Sequence, residues 1–147
     1  MLRSKSLLAL DKPIVMETHG GFGKLFDACY AHVPVGIVME KGPAKAEALS
    51  HQRPTWAVYE CEAVSALRAG LGSHLVVNFL DLDPHGEPWP TLDAFFGSVR
   101  PFADRMVLVV NDGLRGKVKA TGGWDVRSLR DIVSRVGLAT TVGRSRP

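Results

Sequence analysis

Cysteine is scarce in this sequence. Cys29 and Cys61 are the only two in 147 residues, too few for a disulfide framework and in keeping with a reducing, cytoplasmic setting. Cys29 and His32 have the spacing of half a zinc site, but no second Cys/His pair follows, so no metal centre is expected. Long apolar runs are missing as well. The Leu7-Leu8-Ala9-Leu10 run is cut by Asp11 and Lys12 and lacks a cleavage site, so neither a signal peptide nor a membrane span is expected. Charge is nearly balanced: 18 Lys and Arg against 15 Asp and Glu leave +3, which is compatible with a nucleic-acid partner without establishing one. Two phosphate-binding fingerprints also fail. Counted from Gly21 and Gly23, the last glycine of a dinucleotide-binding G-x-G-x-x-G falls on Phe26. A P-loop would need Gly where Thr18 stands, and Ser or Thr where Leu25 follows Gly23-Lys24.

What is present is a hydrophobic share of 46%, enough for one core-forming domain over residues 1–147, and a regular alternation of strand and helix patterns. After a short basic lead, Pro13-Ile14-Val15-Met16 reads as a strand ending at Glu17, followed by a glycine-rich turn and a helix over 24–32. A second strand, 35–39, ends at Glu40, and Pro43 opens a helix at a position that tolerates proline. A third strand, 56–59, precedes Glu60, Glu62 and a helix over 63–69 closed by Gly70. The unbroken apolar run from Leu75 to Leu82 reads as a fourth strand buried on both faces. A helix over 91–99 and a fifth strand, 106–110, follow. Such alternation predicts α/β architecture: right-handed crossovers and a mostly parallel sheet, helix-covered on both faces. Beyond a Gly-rich loop, Asp125 is a natural N-cap for a helix to about Val136, and 138–142 has the pattern of a sixth strand. Basic residues gather in this last third, Arg127, Arg130 and Arg135 among them.

In open parallel sheets ligands bind outside the carboxyl ends of the strands. Those ends are acidic here: Glu17, Glu40, Glu62, and Asp81 with Asp83. The first turn, Glu17-x-His19-x-Gly21-x-Gly23, resembles the D/E-x-G-x-G-x-G first motif of the class I S-adenosylmethionine-dependent methyltransferases, with His19 where that family usually has Gly. The resemblance implies a three-layer Rossmann-like fold and S-adenosyl-L-methionine as cofactor. Glycines without Cβ let the backbone turn sharply and approach a ligand, and a carboxylate can hold an ammonium. Glu17, His19, Gly20, Gly21 and Gly23 would then form the floor, with Glu40 accepting the ribose hydroxyls, Glu62 and Ala63 beside the adenine, and Asp81 at the end of the fourth strand completing the set.

The segment Leu80-Asp81-Leu82-Asp83-Pro84-His85-Gly86-Glu87-Pro88 is similar to the D-L-D-P-F-G-x-P segment of the tRNA guanine-N2 dimethyltransferases, with His85 in place of Phe. Val109-Val110-Asn111-Asp112 is similar to the T-x-T-D after their fifth strand. That family is larger and carries a further domain, and the specific likeness is confined to the fourth strand and its loop. It implies methyl transfer to an exocyclic amine of a nucleic-acid base, with tRNA or other RNA ahead of DNA. Asp83 and the Pro84 carbonyl would accept the amine protons, His85 would stack on the base, and Gly86 would shape the loop. The rival reading is a cofactor-binding or interaction module of the same fold without turnover. Class I methyltransferases usually end with further strands, so the fold is expected to be minimal and C-terminally shortened. Residues 138–142 should therefore pair with the fifth strand, or a second copy should cover that edge in a homodimer.

Overall fold

The computed structural model describes residues 2–111, 113 and 127–135. Five strands, β1 (Ile14–Glu17), β2 (Val35–Glu40), β3 (Ala57–Glu60), β4 (Phe79–Leu82) and β5 (Val107–Val110), form one sheet in the order β3-β2-β1-β4-β5. Every pairing is parallel, with Met16 beside both Ile37 and Leu80. The chain winds outward from β1 to β3, then crosses back to β4 on the other side of β1. The loops after β1 and β4 therefore diverge, and a crevice opens between them at the carboxyl edge of the sheet.

Strand alternation sends successive side chains to opposite faces. Val15, Val38 and Phe79 enter one core with Leu7, Phe26, Tyr30, Leu49 and Trp56. Met16, Ile37, Met39, Leu80 and Leu82 enter a second with Ala63, Leu67, Ala94 and Phe95. The first core is roofed by α1 (Leu2–Leu7), a π-helical segment over Phe26–Tyr30 and α2 (Pro43–Gln52). The second is roofed by α3 (Ala63–Arg68) and α4 (Trp89–Gly97). Both faces are covered, as an all-parallel sheet requires, and the α/β class read from the alternation holds. Cys29 belongs to the first core and Cys61 borders the second, so the sheet separates them. A further helix, α5 (Arg127–Arg135), packs against α4 and is tied to it by Arg135 and Asp93 at 2.8 Å. Among the described residues no helix is long and apolar enough to cross a membrane.

Several elements differ from the sequence reading. The basic lead is helix α1, six residues that bury Leu7. The helix after the first glycine turn is π-wound at Phe26–Tyr30, which brings Phe26, Cys29 and Tyr30 inward together. The apolar run from Leu75 becomes strand only at Phe79. Gly70 and Gly72, at φ 84° and 74°, turn the chain before it. The Asn78 side chain then accepts from Ile14 N–H at 2.7 Å and donates to the Lys12 carbonyl at 2.9 Å. These bonds add to backbone bonds from Asn78 N–H to the Ile14 carbonyl at 3.2 Å and from Val107 N–H to the Asn78 carbonyl at 2.9 Å, while Val77 fills the second core. Among the described residues β5 is the last strand on its side of the sheet, with Leu108 and Val110 partly exposed. The strand expected at 138–142, and most of the loop before α5, lie outside the described residues.

Gly36 is a point of close approach in β2. A Cβ there would sit 2.5 Å from the Trp56 ring, whose indole N–H is fixed by a 2.9 Å bond to the Val33 carbonyl. Gly36→Ala should therefore destabilise the fold by about 1–3 kcal/mol through overpacking. Urea denaturation measures this, and an unchanged midpoint would show that Trp56 does not lie against Gly36.

Candidate functional site

Glu40, Glu62, Asp81 and Asp83 lie at the carboxyl edge of the sheet, and each has partners that hold it in place. Asp81, in β4, is fully buried. Arg3 from α1 grips it with two bonds, Nε to Oδ2 at 2.7 Å and a terminal nitrogen to Oδ1 at 3.1 Å, and the Tyr30 hydroxyl donates to Oδ2. Burial, then the Asp81 charge, pushes the Tyr30 hydroxyl upward, so it stays protonated as a donor. The Asp81 carbonyl accepts from Thr18 N–H at 3.1 Å and from the Thr18 hydroxyl at 3.2 Å, which bends the end of β1 onto β4. The Thr18 hydroxyl also lies 2.8 Å from His19 Nδ1. Burial lowers the His19 pKa, against the upward pull of Glu40, Asp83 and Glu62.

The glycines after His19 have separate tasks. A Cβ on Gly20 would meet Val38 at 2.5 Å and Leu49 at 2.6 Å, so only glycine lets the turn rest on the core. Gly21 has φ 57° and open space where a Cβ would stand. Its N–H donates to Glu40 Oε2 at 2.9 Å, while Gly42 N–H donates to Glu40 Oε1 at 2.9 Å. One carboxylate thus clasps the turns after β1 and β2. Glu62 caps α3, accepting from Val64 N–H at 3.0 Å, Ser65 N–H at 2.8 Å and the Ser65 hydroxyl at 2.9 Å. Burial alone would raise its pKa, but the bonds from Ser65 and Val64 outweigh it and the net shift is downward. Asp83 takes one bond from Asn111 Nδ2 and an ion pair from Arg3 at 3.3 Å.

These turns enclose two adjoining chambers. The first, about 310 Å³, is lined by His19, Gly21, Glu40, Glu62 and Ala63 on one side and Asp83, Pro84, His85 and Gly86 on the other. The second, about 560 Å³, shares His19, Gly21 and the Asp83–His85 loop and adds Gly20, Phe22, Lys24 and Asn111. Lys45 lines both. Most of the expected site residues therefore meet at one crevice.

Glu17, Gly23 and Asp81 line neither chamber. Glu17 shares the face of Val15, which turns it under the floor. There its Oε2 meets Arg53 at 2.6 Å, both side chains wholly buried, with the guanidinium 4.4 Å from the Phe26 ring centroid and 5.1 Å from that of Trp56. The expectation that Glu17 faces a ligand gives way to a supporting role. Gly23 turns the backbone at φ 78° against the Gln52 side chain, and Asp81 is sealed by Arg3 and Tyr30. Sequence reasoning missed Arg3, which pairs with Asp81 and Asp83 from outside the chambers, and Lys45, which lines both. Asn111, in contrast, follows a strand carboxyl end beside β4, a placement that the strand pattern made available.

The first chamber offers acceptors, the Glu40, Glu62 and Asp83 carboxylates, and suits a ligand bearing hydroxyls, amino groups and positive charge. Among the described residues no group of His, Cys, Asp or Glu is placed to hold a metal ion. Comparison with protein-family models, curated proteins and solved structures finds no match.

Burial pushes the Glu17 carboxyl from 4.5 up to about 7, against the opposing pull of Arg53. The folded state therefore holds this proton more tightly than the unfolded chain. The resulting stability is complete below the ordinary carboxyl value and is lost as pH rises through about 7. Wild type should lose more stability than Glu17→Gln between about pH 5 and pH 7.5. Denaturation curves at the two pH values test this, and parallel losses in both proteins would refute it.

Proposed function

We propose that this chain is a class I, Rossmann-like S-adenosylmethionine-dependent N-methyltransferase that acts on an exocyclic amine of a nucleic-acid base, RNA ahead of DNA, in the cytoplasm. The observation that carries the reading is the meeting of two sequence segments at one crevice. The Gly21–Glu40 clasp from β1 and β2 faces the Asp83-Pro84-His85-Gly86 loop from β4 across a single cavity. These are the segments that resemble the cofactor and substrate motifs of that family.

The residues present fit S-adenosylmethionine. Gly21 leaves its Cβ position open, so backbone lies close to whatever occupies the chamber. Each Glu40 oxygen accepts one backbone N–H and retains a lone pair for a hydroxyl. Glu62 and Ala63 line the β3 side of the same chamber, the side assigned to the adenine. When bound, the cofactor supplies an electrophilic methyl group on a sulfonium.

The chain's own work is positioning. An amine conjugated with a base is a weak nucleophile, so catalysis rests on orientation and on accepting its protons. Asp83 arrives oriented, one oxygen bonded by Asn111 and the other paired with Arg3. Its remaining lone pairs and the Pro84 carbonyl accept the amine N–H groups, and Asp83 takes the proton released on methylation. The exposed ring of His85 supplies a planar surface for the base. A second reading, a cofactor-binding or interaction module without turnover, draws on His19 standing where a glycine is usual and on the capping bonds that already engage Glu62.

Two variants separate the roles. Asp83→Ala should lower methyl transfer to labelled nucleic acid by about 2–4 kcal/mol in transition-state stabilisation, with cofactor affinity within a few-fold of wild type. Undiminished turnover would remove Asp83 from the chemistry. Glu40→Ala should weaken cofactor binding in calorimetry by about 1–3 kcal/mol, and unchanged affinity would displace Glu40 from the ribose. Cofactor binding with no transfer to any nucleic acid would favour the second reading.

A further inference from the structure

The second chamber contains chemistry that the methyl-transfer reading leaves unused. Phe22, at the tip of the glycine turn, is 66% exposed, although burying an aromatic ring is ordinarily favourable. Lys45 Nζ lies 5.3 Å from the centroid of the Phe22 ring, in cation–π range. Lys24 lines the same chamber, and the His85 ring is exposed on its opposite wall. Two ammonium groups and two accessible planar rings thus surround a cavity of about 560 Å³ that opens directly onto Asp83 and Pro84.

From this arrangement we infer that the second chamber is a binding subsite for one unpaired nucleotide flanking the target base, its base stacked on Phe22 and its phosphate held by Lys24 and Lys45. The inference rests on the proposed function for the identity of the neighbouring chamber, and it names the form of substrate: a single-stranded or flipped-out segment. Aromatic stacking accepts any base because every base has a π-face, while ammonium groups follow the backbone. An acidic peptide would satisfy the lysines alone and leave the exposed ring without a partner. Phe22 lines only the second chamber, so stacking on it and holding the cofactor are separable.

The test is fluorescence anisotropy of a labelled ten-nucleotide single-stranded RNA with the full chain, in the absence of cofactor. Phe22→Ala should weaken binding about tenfold and Phe22→Trp should restore it. Lys24→Ala should reduce the salt dependence by about 0.7 in slope, the share of one strand phosphate. Affinity of Phe22→Ala for S-adenosylmethionine should match wild type. Equal RNA affinity in wild type and Phe22→Ala overturns the inference, as does equal competition by polyglutamate, which would mark a general polyanion surface. Free adenosine monophosphate competing as strongly as the oligonucleotide would also overturn it in favour of a mononucleotide site. Phe22-dependent RNA binding with no methyl transfer would leave this subsite standing while the proposed reaction failed. Methyl transfer to RNA that is indifferent to Phe22→Ala would do the opposite.

Discussion

A buried carboxylate is costly unless it is paired, and Asp81 is such a group near the carboxyl end of β4, beside the central strand β1. Its two oxygens draw Arg3 from α1 and Tyr30 from the π-helical segment, and its carbonyl draws Thr18 from the end of β1. These contacts converge at the point where the strand order reverses. Arg3 also extends to Asp83, so the pairing of a buried charge helps set the orientation of an accessible one two residues later. The neighbouring wall depends on the Glu40 clasp in the same way. Gly21 and Gly42 are held to one carboxylate, which keeps the turns after β1 and β2 apart from the β4 loop.

Below this layer lies a second buried pair, Glu17 with Arg53. Among the described residues Glu17 Oε1 and two of the guanidinium nitrogens have no hydrogen-bond partner, and Arg53 is instead packed against the faces of Phe26 and Trp56. Such a pair contributes little net stability but resists removal of either member, because the survivor would be an uncompensated buried charge. It lies beneath the glycine turn, and the crevice is formed above it.

The strands were legible because each centres on a short apolar run, and β1, β2 and β3 each end in a glutamate. That pattern located Gly21, Glu40, Glu62 and the Asp83–Gly86 loop at a common edge. The helix around Arg3 was not legible, since six residues carry too little periodicity to distinguish a helix from a basic tail. Glu17 was assigned by position in a motif, whereas its direction is governed by the period-2 alternation that puts it on the face of Val15. Its partner Arg53 is brought to it only by tertiary packing. The run from Leu75 to Asn78 misled for a related reason: apolar residues report burial, and Val77 is buried without being strand.

The central claim is that the crevice between the β1 and β4 loops receives S-adenosylmethionine on its Gly21–Glu40 side. The most direct measurement is a titration of the isotope-labelled protein with the cofactor, followed by amide resonances. The account predicts saturable shifts at Gly21, Gly42 and Ala63, with Gly36 at the far end of β2 unmoved. No shifts at millimolar cofactor, or shifts confined to the amino-end surface around His32 and Val35, would contradict it.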